Sequence, residues 1–259
     1  MYDFDFEKPS SIADAVAALA TEDAQALGGG QTLIPTLKQR LASPSKLVSL
    51  TGIAEMQGVC DDGDAISVGG ATVHADVAAS GLIPALSDLA GNIGDPAVRN
   101  RGTIGGSLAN NDPSACYPSA ALGLGATITT NARSIAADDY FQGMFETALD
   151  EGEIITSVSF PKPQAANYQK FEQPASRFAL VGVFVAKTAA GVRVAVTGAA
   201  EEGVHRWGAA EAALTANFSA DAVPAAPSAD GMISDLHGSS EYRAHLVAVL
   251  TRRAVAACA

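Results

Sequence analysis

Apolar and polar side chains alternate through Tyr2, Asp3, Phe4, Asp5 and Phe6, the two-residue period of a strand. The period then lengthens. Ile12, Ala15, Val16 and Leu19 recur at helical spacing behind a serine pair, which predicts a serine-capped helix over 10–20. A short strand over 24–27 runs into Gly28, Gly29 and Gly30; residues 31–44 read as a helical or looped return and 46–53 as another strand. Together these make a compact β-α-β-rich unit.

From residue 56 the pattern predicts a hairpin about Asp61–Asp64, then strand, turn and helix to residue 80. Residues 81–94 predict a second helix, 120–131 and 133–141 further strand and turn, and 152–163 a strand closed by two prolines. Residues 164–168 read as a linker. Beyond them, 179–214 predict two strands about a glycine turn, a loop and a helix, and 218–243 are loop-rich. Residues 241–258 close the chain as an amphipathic helix carrying Leu246, Val249, Leu250 and Arg253. No internal repeat is evident. The expected class is α+β: an N-terminal domain over 1–165 in two lobes (about 1–55 and 56–165), then a small antiparallel α+β domain over 166–259.

Composition narrows this picture. At 259 residues, 48% hydrophobic and 17% charged, the chain can bury a sizeable core. A net charge of -12 argues against nucleic acid, whose binding rests on clusters of lysine and arginine. No apolar run approaches the roughly 18 residues of a membrane span, and the acidic start has no basic segment of a secretion signal. Cys60, Cys116 and Cys258 are scattered, which excludes a disulfide framework and argues against a metal or iron–sulfur site on this chain. A reducing cytoplasm is the expected location.

Two clusters carry candidate chemistry. Gly28, Gly29 and Gly30, followed by Gln31, Thr32, Leu33 and Ile34, permit positive φ and let amides approach a ligand with no Cβ between. Thr103, Ile104, Gly105, Gly106 and Ser107 set two hydroxyls around a second glycine pair, with Arg99 and Arg101 just upstream. Neither cluster fits a Rossmann fingerprint or a Walker A loop. By spacing alone, a phosphate clamp and two ordinary turns both stay open.

The pair "GGGQTLIP" and "NRGTIGGSLANNDPSACYP" resembles the FAD-binding subunit of molybdenum hydroxylases: the medium chain of carbon monoxide dehydrogenase-like enzymes and the FAD domain of xanthine dehydrogenase. "FDFEKPSSIADAVAAL", "GATVHADV", "EIITSVSFPKP", "KFEQPASRFALVGV" and "SSEYRAHLVAVLTRRAV" extend the resemblance over nearly the whole chain. It implies a two-lobed vanillyl-alcohol-oxidase (PCMH)-type FAD domain followed by the family's C-terminal domain. It also implies that residues 28–32 wrap the FAD pyrophosphate, with Leu33 and Ile34 beside them, while Thr103 to Ser107 hold its other side and the ribityl chain. Asp112 falls in the same FAD-contacting segment, Ile155 against adenine or flavin, and Lys170 near the flavin.

Two positions depart from the family pattern. Cys116 stands where relatives carry an aspartate that bonds FAD hydroxyls, and a thiol is a weak partner. Phe178 stands where relatives often carry tyrosine; it keeps a stacking surface without the hydroxyl. The function implied is an electron-transfer flavoprotein subunit in a heterotrimer, paired as a dimer of heterotrimers. A large subunit would carry molybdopterin, a small subunit [2Fe–2S] clusters, and an external acceptor would take the electrons. A self-sufficient FAD oxidoreductase of the same fold and a scaffold that has lost FAD remain as alternatives. His74 is expected to face solvent at a helix start, Trp207 to pack, and Arg252 and Arg253 to suit the dipole at the end of the last helix.

Overall fold

The computed structural model describes residues 1–258. Its first lobe is a parallel sheet of order β1–β3–β2, built from β1 (Asp5–Glu7), β2 (Ala24–Leu27) and β3 (Lys46–Ser49). Parallel strands need crossovers, which α1 (Ile12–Leu19) and α2 (Leu33–Lys38) provide. The serine cap forms as expected: the Ser11 hydroxyl accepts from the Asp14 amide at 3.1 Å. Ala15, Ala18 and Leu19 of α1 pack in one cluster with Val48, Ile53 and Met56.

The second lobe begins with the hairpin of β4 (Val59–Asp61) and β5 (Ala65–Gly69), turned at Gly63 with φ +84°. Helices α3 (His74–Ser80), α4 (Pro84–Gly91), α5 (Pro96–Arg99), α6 (Ile104–Asn110) and α7 (Tyr117–Leu124) follow. Then come β6 (Thr127–Thr130), β7 (Ser134–Ala136), α8 (Ala137–Tyr140), the small hairpin β8 (Phe141–Gly143) and β9 (Glu146–Thr147), and β10 (Ile155–Pro161). These give an antiparallel sheet of order β4–β5–β10–β6–β7, with Val158 and Phe160 of β10 fully buried.

Residues 120–124, expected as strand and turn, are instead the body of α7. All eight residues of that helix are buried, so no amphipathic period marks it. Its small side chains permit this: a Cβ on Gly123 would stand 2.7 Å from the Phe184 ring. Gly125, at φ +65°, ends the helix in the left-handed conformation.

Residues 164–168 are not a linker either. They open β11 (Ala165–Glu172), which pairs in register with β12 (Ala179–Thr188) from Ala165↔Lys187 onward. With β13 (Gly191–Thr197) and β14 (His205–Arg206) these form a four-stranded antiparallel sheet. Both of its faces are covered. Phe184, Ala186 and Tyr168 join the core of the second lobe. Val181, Val183 and Val185 join a separate core under α9 (Gly208–Ala216) and α10 (Ser240–Ala257). Burial on both sides explains why β12 reads as an unbroken apolar run rather than an alternation. Trp207 packs in that second core as expected.

The last helix differs from expectation in its charges. It runs past Arg252 and Arg253 to Ala257, and Arg252 instead donates to the Pro224 carbonyl at 3.0 Å. Arg243 is buried at 2% exposure and donates to the Leu180 and Gly198 carbonyls at 2.7 and 2.8 Å and to Asp235 Oδ1 at 2.8 Å. Asp235 Oδ1 also accepts from the His237 amide, so Arg243 ties α10, β12 and the 235–238 turn together. Arg243→Met is therefore expected to lower unfolding free energy by about 3 kcal/mol, because two carbonyls and a carboxylate lose their donor. Urea unfolding followed by circular dichroism measures it; an unchanged midpoint would remove Arg243 from this role.

Candidate functional site

Between the two lobes lies a cleft of about 680 Å³, closed at one end by the C-terminal sheet. One wall is the chain leaving β2. Gly30 has φ +72°, which a side chain would strain. The backbone N–H groups of residues 28–33 find no hydrogen-bond acceptor among the described residues. Thr32 opens α2 without a side-chain cap, so this wall presents a run of unsatisfied donors.

The opposite wall is the start of α6. It is not an open loop, as the second glycine cluster suggested, but a helix entry held by paired backbone. Segments 70–74 and 102–105 run antiparallel: the His74 amide donates to the Gly102 carbonyl at 2.9 Å and the Ile104 amide to the Thr72 carbonyl at 3.1 Å. The Gly105 amide donates to the Gly70 carbonyl at 2.9 Å. The Thr103 hydroxyl caps the helix, accepting from the Gly106 amide at 3.2 Å. The amides of this wall are thus largely spent, and its free polar atoms are hydroxyls. The Ser107 hydroxyl has no partner among the described residues, and the Thr103 hydroxyl donates to none.

The walls meet without room for side chains. A Cβ on Gly29 would run into the Arg101 carbonyl and lie 2.6 Å from Gly102 Cα; one on Gly28 would lie 2.8 Å from Thr103 Oγ1; one on Gly105 would lie 2.5 Å from the Gly70 carbonyl. Glycine at these positions is a packing requirement. A flexible, elongated anion fits what remains: the unpaired amides and free hydroxyls suit phosphate oxygens, and the cleft matches the size range of cofactor pockets.

Of the predicted residues, Gly28, Gly29, Gly30, Gln31, Thr32, Leu33, Thr103, Gly105, Gly106, Ser107, Asp112, Cys116, Ile155, Lys170 and Phe178 line the cleft. Ile34 and Ile104 do not. Ile34 packs beneath the first loop, 2.7 Å from where a Gly30 Cβ would sit, and Ile104 is fully buried in the second-lobe core. Asp112 turns back on its own chain, its Oδ1 accepting from the Ser114 amide at 2.8 Å. At the far end Lys170 Nζ is held at 2.7 Å by the Asn92 carbonyl. Phe178 meets His237 edge-on, 5.5 Å between ring centroids.

Arg177, Glu153 and His74 are among the lining residues that the sequence reading did not assign to the site. Arg177 adopts φ +62° after a turn in which Gln173 Oε1 accepts from the Ala175 and Ser176 amides, and it reaches the mouth. Glu153 lines the cleft while bound to Arg133, whose hydrogen bonds hold its carboxyl at about 2. His74 was expected in solvent and is 5% exposed instead, 5.2 Å from the Tyr117 ring. Burial, then the nearby Arg99 charge, push its pKa down to about 4. The antiparallel contact of 70–74 with 102–105 draws His74 inward, and no local sequence signal marks a pairing between segments so far apart.

A glycine-walled cleft thus lies between a parallel-sheet lobe and an antiparallel-sheet lobe. Residues 2–163 match the family model described as "FAD binding domain in molybdopterin dehydrogenase". The carbon monoxide dehydrogenase medium chain of Afipia carboxidovorans is 34% identical, over 97% of this chain and 95% of its own length. The nicotine 6-hydroxylase medium subunit of Paenarthrobacter nicotinovorans is also 34% identical, over 96% and 95%. Carbon monoxide dehydrogenase of Hydrogenophaga pseudoflava superposes with a TM-score of 0.88 at 30% identity, covering 99% of this chain and 97% of the other. The chain belongs to the family of FAD-binding medium subunits of molybdopterin dehydrogenases.

His74 gives the site a pH signature. Its folded pKa lies below the unfolded value, so the native state stays neutral while the unfolded chain takes up a proton. The stability it contributes is full above about pH 6.5 and is lost as pH falls toward 4. Between pH 7 and 4.5 the flavin-free wild type should lose about 2–3 kcal/mol more than His74→Asn. Urea unfolding of both at the two pH values checks this; parallel losses would place the charge change elsewhere.

Proposed function

We propose that the chain binds FAD non-covalently in this cleft and serves as the electron-transfer subunit of a heterotrimeric molybdenum hydroxylase. The observation that carries the reading is the run of unpaired amides over 28–33 facing the hydroxyls of Thr103 and Ser107. A pyrophosphate between them satisfies both walls. Gly28, Gly29, Gly30, Gln31 and Thr32 hold it from one side; Thr103, Gly105, Gly106 and Ser107 hold its other side and the ribityl chain. Lys170 and Phe178 flank the flavin ring, and Ile155 lies against an aromatic portion of the cofactor.

When bound, FAD supplies a relay that accepts electrons singly and releases a pair. The chain positions that group and excludes water from it. Neutral His74 adds no charge to the cleft lining. In this reading the electrons come from [2Fe–2S] clusters of a small subunit, after chemistry at molybdopterin on a large one, and leave to an external acceptor. The medium-chain and medium-subunit names of the relatives support a multisubunit assembly, which we place in the cytoplasm as a dimer of heterotrimers. No described helix is long and apolar enough to cross a membrane.

Titrating FAD into the flavin-free chain tests the site. One FAD per chain should bind with quenching of flavin fluorescence, and Gly29→Ala should weaken it about tenfold or more, since the added methyl forces the walls apart. Failure to take up FAD, or equal affinity in Gly29→Ala, would contradict the reading.

A further inference from the structure

Beyond flavin binding, we propose that Cys116 is a peroxide-sensitive thiol, oxidised to a sulfenic acid that Lys170 and Tyr168 hold. The thiol lies on the cleft lining at 6% exposure, just ahead of α7. Lys170 Nζ stands 3.8 Å from its sulfur, and the lysine side chain is only 5% exposed. The ammonium is anchored on the Asn92 carbonyl and shared with Glu172 Oε1 at 3.9 Å.

Tyr168 lies two residues before Lys170 on β11, so both side chains leave the same face of the strand. The Tyr168 hydroxyl borders the same thiol, is buried, and has no well-formed hydrogen bond among the described residues. Two donors therefore converge on sulfur, a weak acceptor. An unsatisfied buried hydroxyl is unfavourable. An oxygen added to Sγ would give both donors a strong acceptor.

The step balances with hydrogen peroxide as oxidant. Sulfur gives an electron pair to one peroxide oxygen and the O–O bond breaks. The departing hydroxide takes the thiol proton, so thiol and peroxide become sulfenic acid and water, a two-electron exchange. The other cysteines lack this setting. Cys60 is exposed on β4, and Cys258 is half-buried, with burial pushing its thiol up to about 11.

The test uses the full-length, flavin-free chain, exposed to hydrogen peroxide with dimedone present as the sulfenic-acid trap, and peptide mass mapping of all three cysteines. Lys170→Met and Tyr168→Phe are treated alike after circular dichroism shows that they fold. Cys116, beside the Lys170 ammonium, should gain the adduct ahead of Cys60, and each variant should lower Cys116 labelling severalfold. Adduct on Cys60 ahead of Cys116, or Cys116 labelling unchanged in both folded variants, would overturn the proposal. The wild-type comparison stands even where a variant does not fold.

Discussion

The site depends on backbone meeting backbone where the two lobes touch. Between the lobes Gly29 lies against Arg101 and Gly102 and Gly28 against the Thr103 hydroxyl; within the second lobe Gly105 lies against Gly70, and none of these separations admits a Cβ. Steric exclusion of this kind is short-ranged and steep, so one methyl group is enough to part the walls. The backbone amides of residues 28–33 on one wall have no acceptor among the described residues. In the proposed reading, anion binding is a by-product of how the lobes close. The chain leaving β2 and the entry to α6 line the gap from its two sides.

The C-terminal sheet finishes the cleft rather than merely following it. β12 has one face in the core of the second lobe and the other under α10. That shared strand fixes where β11 places Lys170 and where the 173–178 turn places Phe178. Arg243 works at one remove, tying Leu180, Gly198 and the 235–238 turn into one unit. His237, in that turn, is the group that Phe178 meets edge-on. Position at the cleft mouth thus traces back to a guanidinium buried in another core.

What the sequence made legible divides along a physical line. Elements with their own local signal were readable: the capped α1, the hairpin at Gly63, the apolar β12 and the long α10. The glycine clusters were readable as candidates because glycine reports a backbone requirement directly. What stayed hidden depends on contacts between distant segments. α7 is buried on every side and carries no period. β11 opens with Ala165–Ala166–Asn167, weak strand formers that pair because β12 is beside them. His74 faces inward because 70–74 pairs with 102–105, and Arg243 is buried because three separate elements supply its acceptors. Ile34 and Ile104 were assigned with their glycine neighbours, but neither lines the cleft, and Ile104 is buried in the second-lobe core.

The central claim is that the amides after β2 grip the cofactor's diphosphate, and amide resonances report this most directly. In a chain labelled with nitrogen-15 glycine, the signals of Gly28, Gly29 and Gly30 should move on adding FAD, and ADP, which shares the diphosphate, should move them in the same direction. If FAD binds and co-elutes with the chain while those three signals stay in place, the diphosphate lies elsewhere and the account of this cleft is wrong.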